Sequence, residues 1–580
     1  MQDKKGYTET QAYNLLFSGG LEIHTTQDPD IQSVVDTEIS NPENYDVVYY
    51  SIDYRLSIQH ADQTTTNYSD ETLKTYFRKD LGESNFDGLF TSKEKADEAI
   101  EKYRTAMTKE GDTILGESVH YVLQPQASFV LIDQSNGYVK ALSGGRGQKE
   151  VSRSLNRATN TLRQPGSTFK VITSFAPAID TCGATLGSVY YDAPYTMGTK
   201  TFRNWYSSKG YMGYSTIRDG IVYSMNIVAV RCMIETVTPQ LGVEYARNLG
   251  ITSLTDTDYN ASTALGGITK GVSNLELTNA FAAIANGGIY TKPVFFTQIL
   301  DHNGKVLLEN APETKRVLKD STAFLLTDAM SQSMESSRMF ASSGVSLNST
   351  SAVANIPGMS NAGKSGTTTN NNDIWFVGFT PYYTAGIWSG CDDNQKISAI
   401  GSSTSYHKKI WKKIMTTIHE GLADTGFPVP SSVTTAQICR KSGKLAIPGV
   451  CDHDPRGSAV YTEYFAKGTV PTEVCDHHVQ LTVCSESGGL ATEYCPEKTT
   501  RTFMVIPEGE SGGTDDSKYR SPGTCTIHGS SSVVVPSDET SDENSSSQAE
   551  TTQETVPETT KAAPKSPLDQ VYIPRGPGYE

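Results

Sequence analysis

The chain has 580 residues, 37% of them hydrophobic, with 49 glycines, 25 prolines and a formal net charge of −16. That length suggests roughly three or four domains, and the acidic balance argues against nucleic acid as a partner. No apolar run approaches the ~18 residues of a membrane-crossing helix, and Met1-Gln2-Asp3-Lys4-Lys5 is followed by no signal-peptide apolar core. The chain therefore reads as soluble and without an export signal.

Residues 1–120 are polar and weakly patterned, and read as a linker or pedestal. Within them Gly20 to Thr26 suggests a short strand, Asp28-Pro29 opens a helix carrying Ile31, Val34 and Val35, Tyr49 to Ile58 alternates like a strand, and Lys93 to Met107 is a charged amphipathic helix. From Ala127 to Leu142 a buried strand, the turn Asp133 to Gly137 and a second strand predict a β-hairpin. Pro165-Gly166 then breaks the chain and the apolar run Phe169, Val171, Ile172, Phe175 begins a buried helix. A helical segment carries Ile221, Val222, Met225 and Val228. Asn274 to Asn286 and Ala323 to Met334 are helical, and Gly287-Gly288 caps the former. Lys364 to Thr369, Ile374 to Phe379 and Tyr383 to Trp388 read as strands, and Tyr406 to Leu422 as a last amphipathic helix. Strands at both ends with helices between them predict one α+β domain over 121–425, whose sheet combines early and late strands.

Of the nine cysteines, six crowd the C-terminal part. Cys439-Arg440-Lys441-Ser442-Gly443-Lys444-Leu445-Ala446 recurs as Cys484-Ser485-Glu486-Ser487-Gly488-Gly489-Leu490-Ala491. Each copy has a second cysteine, Cys451 or Cys495, and a third near histidine, Cys475-Asp476-His477 or Cys525-Thr526-Ile527-His528. Residues 426–530 are thus two repeat modules. Disulfides Cys439–Cys451 and Cys484–Cys495 are expected, because the spacing repeats the pairs and lacks a C-x-x-C knuckle; zinc is the alternative. Residues 531–580, rich in Ser, Thr, Glu and Pro, are expected to be disordered.

Chemistry concentrates in three segments. Ser167 stands at the start of a helix with Lys170 three residues later; alone, that pair reads as a helix cap and a snorkelling lysine. Ser224-Met225-Asn226 follows on a helical segment, and Lys364-Ser365-Gly366-Thr367-Thr368-Thr369 on a strand. S-x-x-K, S-x-N and K-S-G-T in this order resemble the motif set of the penicillin-binding proteins and serine β-lactamases. Gly20 to Thr26 with Asp28-Pro29, Asn156-Arg157-Ala158, Ala264 to Gly267, Ala285 to Gly288 and Asp373 to Gly378 are similar to class A, bifunctional penicillin-binding proteins. The resemblance covers roughly residues 20–35 and 125–425, and the cysteine modules resemble C-terminal extensions of some Gram-positive members.

The resemblance implies a serine D,D-transpeptidase with an α+β penicillin-binding/serine β-lactamase-like fold, needing no cofactor or metal. Ser167 would be the nucleophile, Lys170 its neutral base, and Ser224 a proton relay oriented by Lys364. Asn226 would hydrogen-bond Lys170 and a substrate amide. Backbone N–H groups of Ser167 and Thr367 would form the oxyanion hole. Ser365, Thr367 and Thr369 share one strand face and would bind the donor's carboxylate. Gly366 would let the substrate lie along the strand. Lys364 has the opposite parity and must reach round the strand edge to Ser224.

The expected partners are peptidoglycan stem peptides ending in D-Ala-D-Ala, an amine acceptor and β-lactams, with cell-wall or division-complex proteins beside them. The resemblance places the activity on the outer face of the bacterial membrane. It also implies a membrane anchor and a glycosyltransferase domain upstream, so the chain is expected to be an extracytoplasmic part of a longer protein. A D,D-carboxypeptidase or β-lactamase on the same site is the enzymatic alternative, although no well-placed E-x-x-x-N element supplies a deacylating base. A β-lactam sensor or wall-binding protein is the non-enzymatic one. Asn204-Trp205 reads as loop packing.

Overall fold

A computed structural model describes residues 5–149, 154–340, 346–509 and 513–529. The expected disordered tail, 531–580, lies outside them. At the centre is a five-stranded antiparallel sheet of β1 (Gln126–Asp133), β2 (Tyr138–Ser143), β3 (Ala362–Thr367), β4 (Asp373–Phe379) and β5 (Thr384–Gly390), in the order β3-β4-β5-β1-β2. Early and late strands therefore meet at β5 and β1, where Gly386 lies opposite Val130.

The middle strands are apolar on both faces because both faces are covered. In β4, Trp375, Val377 and Phe379 pack into a cluster with Phe169, Phe175 and Phe281. Ile374 and Phe376 point the other way, to Phe129, Ile387 and Trp411. Helix α1 (Asn274–Ala285) covers the first face and helix α3 (Tyr406–Ile418) the second, with helix α2 (Asp320–Met334) packed against β3. Truncating Trp411, fully buried on α3, would cost about 3–5 kcal/mol in lost burial and cavity.

The N-terminal region is more than a linker. Tyr49–Gln59 pairs with Thr65–Ser69 and Thr113–Gln124 in a three-stranded sheet. The helix Lys93–Met107, N-capped by Ser92, lays Ala96, Ala99, Ile100 and Tyr103 on it at helical spacing. Ahead of this unit, Glu22–Thr25 pairs with Phe296–Leu300, and Thr26 Oγ1 donates to the carbonyls of Val139 and Val294 at 2.9 and 2.7 Å. The start of the chain is thereby tied to the central domain.

The two C-terminal modules are β-hairpins, Val433–Cys439 with Val460–Ala466 and His478–Cys484 with Lys498–Met504. The disulfides expected within them are not formed: all nine cysteines are free thiols. In each module the third cysteine and a histidine fold in beside the first two, giving the groups Cys439, Cys451, Cys475, His478 and Cys484, Cys495, Cys525, His528. A two-cysteine pairing would leave Cys475 and Cys525 without a role.

Buried ion pairs dock the first module on the central domain. Arg218 donates to Glu463 and Asp328, and Arg440 to Asp219. Glu463 is fully buried, so its charge is tolerable only with Arg218 in place.

Candidate active site

The segment around Ser167 is helical but irregular. Gly166–Thr168 forms a 3-10 turn, Lys170–Phe175 a π-helical turn and Ala176–Asp180 a short α-helix. Gly166 has a φ of +55°, and a Cβ there would lie 2.7 Å from the Thr367 carbonyl oxygen. Only glycine lets the Ser167 turn sit against the end of β3 at this distance. Gly366 faces the same contact from the strand, since a Cβ on it would meet the Pro165 carbonyl oxygen at 2.4 Å. Its missing side chain is thus used by the protein's own packing, not by the space above the strand.

Ser224 departs from the helix expected of it. One helix, Ile217–Val222, ends before it, and another, Asn226–Arg231, starts after it. Ser224 itself has a φ of +54°, a conformation uncommon for a non-glycine residue. The break is held from outside. Asn204 Oδ1 accepts the backbone N–H groups of Asn226 and Ile227 at 2.7 and 3.1 Å, acting as the cap of the second helix. Asn204 Nδ2 in turn donates to Asp192 Oδ1 at 2.5 Å, and Asp192 also accepts from Tyr206 and the Met212 N–H. Asn204, read from sequence as loop packing, is therefore a positioning residue. Its helix cap lies 22 positions away in sequence, beyond any local capping pattern.

Lys170, Ser224, Asn226 and Lys364 meet in one buried group. Lys170 Nζ donates to the Ser224 carbonyl and to Asn226 Oδ1, each at 2.6 Å, and lies 3.2 Å from Ser224 Oγ. Lys364 Nζ donates to Ser224 Oγ at 2.9 Å and to the Ser365 carbonyl at 3.0 Å. Asn226 Nδ2 donates to the Arg203 carbonyl at 2.8 Å, which orients the amide with Oδ1 towards Lys170. Both lysines are 0% exposed and Ser224 is 4% exposed. Lys364 thus spans from β3 to Ser224, a reach that strand period alone does not predict.

Burial, and then the charge of Lys364, holds the Lys170 amine well below the usual lysine range. Lys364 is pushed down to about 7, first by burial and then by Lys408. Lys408 is itself lowered to about 8 by burial and donates to the Thr350 carbonyl at 3.0 Å. A neutral Lys170 has two N–H groups and one lone pair. The two 2.6 Å acceptors can take both N–H groups of the neutral amine.

Ser167 is half-buried and, with Ser224 and Asn226, lines a cleft of about 1210 Å³. Ser365, Thr367 and Thr369 line it along β3 and beyond its end, as do Trp205 and Lys408. Trp205 is 55% exposed, with its indole N–H fixed on the Tyr223 carbonyl at 3.0 Å. The buried Trp375 donates to the carbonyl of Gln164, another lining residue, at 2.9 Å. Among the described residues, the groups able to hold a metal ion are the two Cys/His tetrads, outside this cleft.

A buried Lys/Ser/Lys group beneath a cleft that Ser167 also lines, on a five-stranded sheet covered by helices, defines a class, and the comparisons name it. Residues 127–416 match the penicillin binding protein transpeptidase domain, and residues 429–480 the C-terminal domain of penicillin-binding protein 1A. The chain belongs to the penicillin-binding protein transpeptidase family, and is homologous to the class A member penicillin-binding protein 1A.

Penicillin-binding protein 1A of Clostridium botulinum is 34% identical over 409 residues, covering 68% of this chain and 47% of the relative. That of Clostridium tetani is 35% identical over 391 residues, covering 64% and 47%. The chain spans about half the length of these relatives. The fold is shared with the crystal structure of penicillin-binding protein 1A from Haemophilus influenzae, with a TM-score of 0.56, 19% identity and coverage of 80% and 76%. It is also shared with PonA1 of Mycobacterium tuberculosis in complex with penicillin V, with a TM-score of 0.51, 20% identity and coverage of 74% and 93%.

Proposed function

We propose that this chain carries a serine D,D-transpeptidase that cross-links peptidoglycan stem peptides through an acyl-enzyme on Ser167. The observation that carries the reading is the Lys170–Ser224–Lys364 group, two buried amines on one hydroxyl in the cleft that Ser167 lines. Ser167 Oγ attacks the carbonyl carbon of the penultimate D-Ala, and Lys170 takes its proton. Backbone N–H groups of Ser167 and Thr367 hold the oxyanion. The intermediate collapses with cleavage of the amide bond. The terminal D-Ala leaves as an amine protonated through Ser224, whose hydroxyl Lys364 orients. An acceptor amine then attacks the ester and frees Ser167 Oγ. Ser365, Thr367 and Thr369 bind the donor's carboxylate, and β-lactams acylate the same serine.

The further elements of the reading are a domain division at 1–120, 121–425, 426–530 and 531–580, and a site of action on the outer face of the bacterial membrane. The test is a donor peptide ending in D-Ala-D-Ala with an amine acceptor, analysed for free D-Ala and cross-linked peptide. Cross-linked product that is lost in Ser167→Ala supports the transpeptidase. D-Ala release without cross-linking at any acceptor concentration assigns the site to a carboxypeptidase, and no release in either case removes the enzymatic reading.

A further inference from the structure

The two C-terminal modules repeat a four-point group that the acyl-transfer chemistry does not use. Each brings three cysteine Sγ atoms and one histidine nitrogen within 4.8 Å of one another. The order is the same in both, Cys, Cys, Cys, His, and each closes with a C-x-x-H step, Cys475 to His478 and Cys525 to His528. We propose that each tetrad is a structural Zn²⁺ site, so that the chain binds two zinc ions.

Geometry supports a metal at the centre of each group. Zn–S bonds of about 2.3 Å and Zn–N bonds of about 2.0–2.1 Å at tetrahedral angles put S and N about 3.6 Å apart. His478 Nδ1 lies 3.4 Å from Cys439 Sγ and 3.5 Å from Cys475 Sγ. His528 Nδ1 lies 3.4 Å from Cys484 Sγ and 3.6 Å from Cys525 Sγ. A disulfide in either group would leave one cysteine and the histidine turned towards it for no purpose.

The surroundings are those of ligands held for a cation. Each histidine turns Nδ1 to the sulfurs and its other nitrogen to a carboxylate: His478 Nε2 is 2.8 Å from Asp454 Oδ2, and His528 Nε2 is 3.2 Å from Glu486 Oε2. This partner fixes the ring and makes Nδ1 a better donor to a metal. Backbone N–H groups of Ile447 and Thr492 donate to Cys451 and Cys495 Sγ, each at 3.3 Å, and Ser487 Oγ donates to Cys525 Sγ at 3.1 Å. Such bonds suit thiolates. The same backbone bridges recur in both copies, Leu445 to Ile438 and Val474, and Leu490 to Val483 and Thr524.

The modules also need a staple. Around the first tetrad only Ala459 is buried, with Ala446, Ile447 and Val460 partly so, and around the second Ala491 is partly buried. Beyond these, each hairpin buries few apolar side chains, Val433, Ile438 and Phe465 in the first and Val483 and Met504 in the second, a small core for a module without a staple. Four protein ligands, three of them sulfur, close the coordination sphere of zinc and leave no open position for catalysis. Binding releases the thiol protons and couples metal affinity to folding of the hairpins.

The test uses the full chain, purified without chelator and dialysed against metal-free buffer. Elemental analysis is expected to give two zinc ions per chain, with one lost in His478→Ala and one in Cys525→Ser. Replacing zinc with Co²⁺ is expected to give thiolate charge-transfer absorption and the visible bands of tetrahedral cobalt. Should the variants misfold, the wild-type chain still decides the question. Chelator under native conditions should release both ions and expose six further thiols to alkylation. Wild-type protein without zinc that takes up neither Zn²⁺ nor Co²⁺, or with Cys439–Cys451 and Cys484–Cys495 bridges in its unreduced peptide map, would overturn the proposal.

Discussion

Asn204→Ala isolates the one positioning contact that joins the Asp192 network to the proposed catalytic group. The substitution removes the acceptor of two backbone N–H groups, those of Asn226 and Ile227, and one donor to Asp192. Each buried donor left without a partner costs about 1–3 kcal/mol. Ile227 is buried and Asn226 is half-buried, so water can reach one of the two and the loss of stability should be about 2–4 kcal/mol. Release of the helix start also frees Asn226 Oδ1 from Lys170. A neutral hydrogen bond is worth about 0.5–1.5 kcal/mol, so β-lactam acylation should slow by about twofold to tenfold. The assay pairs a urea titration with the second-order acylation rate of a chromogenic β-lactam, measured where the variant is fully folded. A variant destabilised as expected but acylated at the wild-type rate would refute the positioning role.

The two lysines set a pH profile with a definite direction. The proposed mechanism uses a neutral Lys170 and a charged Lys364, so acylation should rise as Lys170 loses its proton and fall as Lys364 does, at about pH 7. The Lys408 charge lowers Lys364; Lys408→Met should therefore move the alkaline limb upward, and a limb that stays or moves down contradicts the assignment. Gly166→Ala combines a left-handed φ with a Cβ 2.7 Å from the Thr367 oxygen. Strain of about 1–2 kcal/mol and overpacking of about 1–3 kcal/mol should lower Tm, which calorimetry would read. Arg218→Met strands the buried Glu463 carboxylate and should cost about 3–5 kcal/mol in urea unfolding. The double variant Arg218→Met/Glu463→Leu should recover most of it, and failure to recover would mean the pair is not the source.

The sheet was legible because its strands announce themselves. Ala127 to Ile132 and Ile374 to Phe379 are continuous apolar runs, which a strand covered on both faces requires. The helix Lys93–Met107 showed its Ala96, Ile100 and Tyr103 stripe. Ser167, Lys170, Ser224, Asn226 and Lys364 could be paired with one another only through motif order, yet the structure gathers the last four around a single hydroxyl. What sequence reasoning missed was tertiary. The apolar residues around Tyr223 and Met225 favour an unbroken helix, and the break at Ser224 is imposed by Asn204 from a distant loop. Cysteine spacing likewise displayed the pairs Cys439/Cys451 and Cys484/Cys495. The third cysteine and the histidine join them only when the hairpins fold, and His478 is the first residue of the next module's strand.

The central claim is that Ser167 is the acylated residue and that the Lys170–Ser224–Lys364 group activates it. Intact mass spectrometry and peptide mapping after incubation with a β-lactam test it most directly. The account predicts a stable adduct of one β-lactam per chain on the peptide containing Ser167, absent in Ser167→Ala and formed far more slowly in Lys170→Met. An adduct that maps to another residue, or that forms at the wild-type rate without Lys170, would contradict it.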